Sequence, residues 1–141
     1  MTALSRLPDW RIRVEDAITD IKAKPFDWKS HDCVIGLAGR IVLEITGVDL
    51  TAQYAGSFEN ATSAARLVRE LGFSSVGDLV ASRLPEIHPS HAVMGDIAAI
   101  AMDGPFGHAL GVVNGERVFV LGEHGFGTVD LLDAQRAFKV G

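Results

Sequence analysis

Cys33 is the only thiol in the chain, and the run His31-Asp32-Cys33 places it just ahead of the apolar residues Val34, Leu37, Ala38 and Ile41. A thiol in the first turn of a helix meets the positive end of the macrodipole and unpaired backbone N–H groups, which favour thiolate and can stabilise an oxyanion. Asp32 pulls the other way, because a neighbouring carboxylate disfavours a second negative charge. A bland reading competes with the chemical one: free cysteine is among the most buried residue types, and one that opens an apolar helix is often structural.

A thiol nucleophile also needs a base, and five histidines are available. His108 lies at the start of an apolar run, and His31 sits too close to Cys33 for its ring to be assumed a base. His124, inside Gly122-Glu123-His124-Gly125-Phe126-Gly127, could supply a supporting polar group from a turn. That turn lacks the order and the lysine of a phosphate loop. His88-Pro89-Ser90-His91 offers two imidazoles, but the proline prevents a regular helix from presenting them together, so no metal and no cofactor is expected.

The elements that must position these residues follow from periodicity. Pro8 suits a first helical turn, and Trp10, Val14, Ala17, Ile18 and Ile21 recur at helical spacing until Pro25. The stretch 24–30 has no period and reads as a loop pinned on the core, delivering the chain to Asp32, which caps a helix ending at Gly47. Asn60 caps a third helix through Leu71, closed by Gly72, and Ser75 with Asp78 opens a fourth that extends to about Leu84. After Pro85 the pattern changes. Ile97 to Met102, Ala109 to Val113 and Arg117 to Leu121 read as strands, the last two joined by Asn114-Gly115, with further strands near Thr128 to Leu132 and Phe138 to Val140. Helices over about 1–85 and strands over 95–141 predict one α+β domain spanning 1–141.

Composition narrows the function classes. A length of 141 residues suits one core, and a single cysteine allows no internal disulfide. A net charge of −5 gives no electrostatic footprint for nucleic acid. The start, Met1-Thr2-Ala3-Leu4-Ser5-Arg6, lacks the pattern of a secretory signal, and no apolar window is long enough for a transmembrane helix. Cytoplasmic synthesis without membrane insertion is the expectation.

Asp32-Cys33, Gly95-Asp96-Ile97 and Leu110-Gly111-Val112-Val113 occur in the order found in papain-like peptidases of the NlpC type, which the chain resembles over roughly residues 25 to 121. That resemblance implies helices packed on an antiparallel sheet, Cys33 as nucleophile, and peptidoglycan stem peptides as substrate. The base position of the motif falls on Ala109, with His108 one residue early. An offset of one in a strand aims His108 away from the thiol unless a distortion, for instance at Gly107, reorients it.

Trp10, Pro25-Phe26-x-Trp28, Thr46-Gly47-x-Asp49, Gly95-Asp96, Ala109-Leu110-Gly111 and the ending Phe138-Lys139-Val140 make the chain similar, over nearly its whole length, to short proteins encoded among the tail genes of siphophages and gene transfer agents. This implies a virion component at the tail tip, with other tail-tip proteins as partners. Two functions stand side by side: a structural or assembly component with a peptidase-like fold and weak or no catalysis, or an active cysteine amidase cleaving cell-wall peptides during infection. In the second case Cys33 and His108 are the catalytic pair, with Asp32, His31 and His124 in support.

Overall fold

Val14, Ala17, Ile18 and Ile21 fall on one face of a helix, and α1 (Trp10–Lys22) buries all four. The computed structural model describes residues 4–27, 31–54, 56–101 and 108–141. Met102, Gly107 and Trp28, which figure in the sequence reading, lie outside the described residues. Asp32 caps the second helical segment as expected, its carboxylate accepting from the Ile35 N–H at 2.7 Å.

That segment does not start as a regular α-helix. Cys33–Gly39 forms a π-helix, in which the Asp32 carbonyl accepts from both the Gly36 and Leu37 N–H groups, and it then tightens into α2 (Arg40–Thr46). The wide turn passes close to its own approach loop: a Cβ on Gly36 would stand 2.6 Å from His31 Nδ1 and 2.7 Å from its Cα. Leu37, Ile41 and Ile45 are fully buried, so this helix is central.

α3 (Ala61–Glu70) carries a reciprocal cap between Asn60 and Ser63, and α4 (Val76–Ala81) is capped by the Ser75 hydroxyl. The fourth helix stops at Ala81, short of the expected Leu84. The Asp78 carboxylate does not return to the cap; it reaches Arg136 at 2.8 Å.

Six strands follow: β1 (Glu86–Ile87), β2 (Ile97–Ala101), β3 (His108–Asn114), β4 (Arg117–Gly122), β5 (Gly125–Asp130) and β6 (Ala134–Phe138). They form one open antiparallel sheet in the order β1-β6-β2-β3-β4-β5. β2 to β5 are a meander, and β6 returns to lie beside β2. Ile97, Ala99, Leu110, Val112 and Phe138 bury one face against the helices, while Ala98, Val113 and Val118 form a second apolar cluster on the other face. The architecture is α+β, four α-helices among the described residues packed against this sheet.

Two sequence expectations for the sheet need correction. The hairpin pairs Asn114 with Arg117, so its loop is Gly115-Glu116, one residue later than Asn114-Gly115. Only Gly115 takes a positive φ, 65°, the pattern of a II′ turn with glycine first, rather than the Asn-Gly turn that needs two such residues. Leu131–Asp133 is a 3₁₀ turn, capped by Asp130, that separates β5 from β6; the last two strands therefore run earlier than expected.

Candidate functional site

Cys33 sits at the helix start that the sequence predicts, but water does not reach it. The thiol is buried at 6% exposure, on the helix-facing side of the sheet in the main core. Burial first, and the adjacent Asp32 carboxyl second, push its pKa from 9.0 up to about 12, against which the Leu110 backbone amide pulls only in part. The advantage of a helix start is overridden, and at neutral pH the sulfur holds its proton.

Asp32 is itself fully buried. Oδ1 caps Ile35, while Oδ2 has no hydrogen-bond partner among the described residues. Burial raises this carboxyl above its ordinary range despite the backbone N–H groups of the helix start. No cation pairs with it among the described residues.

His31 is turned away from catalysis by two ties. Its backbone exchanges hydrogen bonds with Asp27, at 2.7 and 3.0 Å, and its Nε2 lies 3.0 Å from the Ile21 carbonyl at the end of α1. A carbonyl only accepts, so Nε2 carries the proton and the ring serves as a strut between α1 and the helix start.

His108 corrects the expectation from the offset. It alternates with Leu110 and Val112, so it faces the helix layer on the same side of the sheet as the core, and Ala109 faces away. Ala109 is thus not the thiol-facing position: in β3 the pleat makes the even-numbered residues the inward ones. Facing the helices does not deliver His108 to Cys33. A Cβ on Gly77 of α4 would stand 2.9 Å from its Nδ1 and 2.9 Å from an Arg136 nitrogen, so the ring and the guanidinium both lie beside α4. Burial and then Arg136 lower its pKa, with Asp78 and Gln135 pulling upward, so the ring is neutral at pH 7. Among the described residues its Nδ1 has no partner, and no imidazole hydrogen-bonds the Cys33 sulfur.

The remaining histidines stand apart from the thiol. His124 is exposed in the turn between β4 and β5. His88 and His91 are exposed on a 3₁₀ turn with ring centroids 6.0 Å apart, and His88 Nδ1 accepts from the Ser90 N–H at 3.1 Å. Among the described residues no three of His, Cys, Asp and Glu converge as a metal site, and no helix is long and apolar enough to cross a membrane.

Two polar clusters escaped the sequence reading. Asp96 at the head of β2 is 1% exposed and completely partnered: Oδ1 accepts from Arg6 and from the Val140 N–H, both at 3.0 Å, and Oδ2 accepts from the Val93 N–H at 3.0 Å. Arg6 also donates to the carbonyls of Val140 and Met94 and stacks on Trp10 at 4.3 Å. Gly95 enters this clasp with φ 94°, and a Cβ there would meet Ile45 at 2.7 Å. The Gly95-Asp96 pair was visible as a motif; nothing near Arg6 announced its partner 90 residues away.

Arg136 on β6 makes the second cluster, with a bidentate pair to Glu86 at 2.8 and 3.0 Å and a bond to Asp78. The guanidinium holds Glu86 below the usual carboxylate range and is itself held more firmly in its charged form.

A family model described as Domain of unknown function (DUF6950) matches residues 5–140. No curated protein and no solved structure matches the chain.

Proposed function

The chain belongs to the DUF6950 family, and we propose that it is a structural or assembly component of a phage-type tail tip that uses a peptidase-like body without significant hydrolysis. One observation carries the non-hydrolytic part of the reading: the Cys33 thiol is buried, its pKa is pushed up to about 12, and no imidazole among the described residues is bonded to it. Thiol catalysis needs a thiolate and a proton donor for the leaving amine. Here Asp32 opposes the first, His31 is committed to Ile21, and His108 lies beside α4 and Arg136 without a bond to the thiol.

A helix-borne cysteine over an antiparallel sheet, with a histidine at the start of the neighbouring strand, supports an NlpC-type ancestry for this body. The tail-gene motifs fit as structural features: Trp10 stacks on Arg6, Gly95-Asp96 forms the clasp, and Val140 is held by it. Partners are other tail-tip proteins, with peptidoglycan as a surface the assembly meets.

The test is incubation of the chain with purified peptidoglycan and stem peptides beside Cys33→Ala and His108→Ala. No amide cleavage above buffer is expected from any of the three. Robust cleavage lost in both variants would establish an active cysteine amidase instead, and loss with Cys33→Ala alone would locate the base elsewhere.

A further inference from the structure

Leu132 is the most exposed large apolar side chain among the described residues, at 90%, on the 3₁₀ turn Leu131–Asp133. The turn is tied at two points: the Asp130 carboxylate accepts from the Leu132 N–H at 2.9 Å, and the partly buried Leu131 packs against the second apolar cluster. Leu132 is therefore an exposed apolar knob on a capped turn, with Asp130 and Asp133 near it in the chain, and Asp133 has no ion pair among the described residues. An isolated exposed leucine by itself needs no explanation, so the case rests on a cavity that matches it in size and charge.

The helix layer carries such a socket. An apolar cavity of about 60 Å³ is walled by Val34, Val42, Leu50, Leu79 and Leu110, with the exposed Arg83 on its rim. It is well below the roughly 150 Å³ of an engineered cavity that takes a benzene ring, which suits the end of an aliphatic side chain. Arg83 donates to the Tyr54 hydroxyl at 3.1 Å and has no carboxylate partner among the described residues. Apolar end, matching size and opposite charge fit the knob to the cavity.

Knob and cavity belong to opposite sides of the sheet, Leu131 packing on the face away from the helices and the cavity lying among them. One copy cannot fill its own socket. We propose that the chain self-associates head to tail, with Leu132 of one copy seated in the cavity of the next and Asp133 against Arg83. A contact of two different patches does not close at two copies; it builds a ring or a filament. This inference stands apart from the tail-tip reading and from any reactivity of Cys33.

Sedimentation of the full chain over a concentration series reads the outcome. The wild type is expected to grow beyond a dimer, and Leu132→Asp and Arg83→Glu are each expected to weaken association about ten- to a hundredfold, both being surface changes that leave the circular dichroism unchanged. An equimolar mixture of the two variants is expected to form a one-to-one complex, because the intact knob of one still meets the intact cavity of the other. Reversing both charges in one chain, Arg83→Glu with Asp133→Arg, is expected to restore growth. A wild type that stays monomeric would overturn the proposal and leave the cavity to a different protein or a small aliphatic ligand. A mixture that forms no complex, or a Leu132→Asp chain that still grows, would overturn it equally.

Discussion

Asp32 and Asp96 are both withdrawn from water, at 0% and 1% exposure, yet their surroundings treat them in opposite ways. Asp96 receives a guanidinium and two backbone N–H groups, so that both oxygens are engaged and the carboxylate ties the head of β2 to Arg6 and Val140. Among the described residues Asp32 receives a helix start on one oxygen and nothing on the other, with no cation to offset its burial. The first is a clasp. The second has its pKa pushed above the ordinary carboxyl range by burial, and its negative charge helps to keep the neighbouring thiol protonated. Burial alone makes neither a structural nor a reactive carboxyl; the supply of partners decides which it becomes.

The sharpest way to break this comparison is to remove each carboxylate in turn. Asp96→Ala leaves a largely buried guanidinium and two N–H groups without their acceptor and is expected to cost about 3–5 kcal/mol. Asp32→Ala loses one helix cap and is expected to cost about 1 kcal/mol. Urea unfolding of both variants measures the difference, and equal costs would mean that the unpartnered oxygen of Asp32 matters as much as the clasp.

A smaller effect tests the thiol beside Asp32. The unfolded thiol ionises near 9.0 while the folded one keeps its proton to about 12, so between these values unfolding releases a proton and stability falls as pH rises. The loss is expected to be about 1.4 kcal/mol per pH unit above about 9, fully absent below it. Unfolding at pH 8 and pH 10 reads the slope, which Cys33→Ala is expected to flatten. An unchanged slope in that variant would assign the alkaline loss to other groups.

The smallest effect concerns a third kind of carboxylate, exposed and paired. Arg136 lowers the pKa of Glu86, so the pair stabilises the fold above the unfolded carboxyl pKa and this contribution is lost as pH falls through the lower folded value. Because Glu86 is nearly half exposed, solvent screens the pair, and Glu86→Gln is expected to cost less than about 1 kcal/mol at neutral pH and nothing once the carboxyl is protonated. A cost that persists at low pH or in high salt would show packing rather than charge.

Local chemistry made much of the fold legible. The caps at Asp32, Asn60 and Ser75 and the helical faces of α1 and α2 are signals carried within a few residues, and the structure follows them. The α+β division after Pro85 was equally local, since glycine and β-branched residues shorten the period from 3.6 to 2. Errors fell where two local options were close in energy. The Asn114-Gly115 signal could serve either of two loop registers, and cross-strand pairing of Asn114 with Arg117 selected the later one.

The candidate site was legible as residues but not as chemistry. The sequence by itself determined that a lone thiol opens an apolar helix behind an acid, because both facts depend on neighbours in the chain. Whether that thiol meets water or a base depends on residues tens of positions away. Only the tertiary structure decided that Cys33 is packed beneath the helix layer, that His31 braces α1, that His108 shares the core-facing side yet lies beside Gly77 and Arg136, and that Arg6 closes on Asp96. Desolvation and ion pairing are set by what surrounds a group in space, and spacing along the chain carries no record of either.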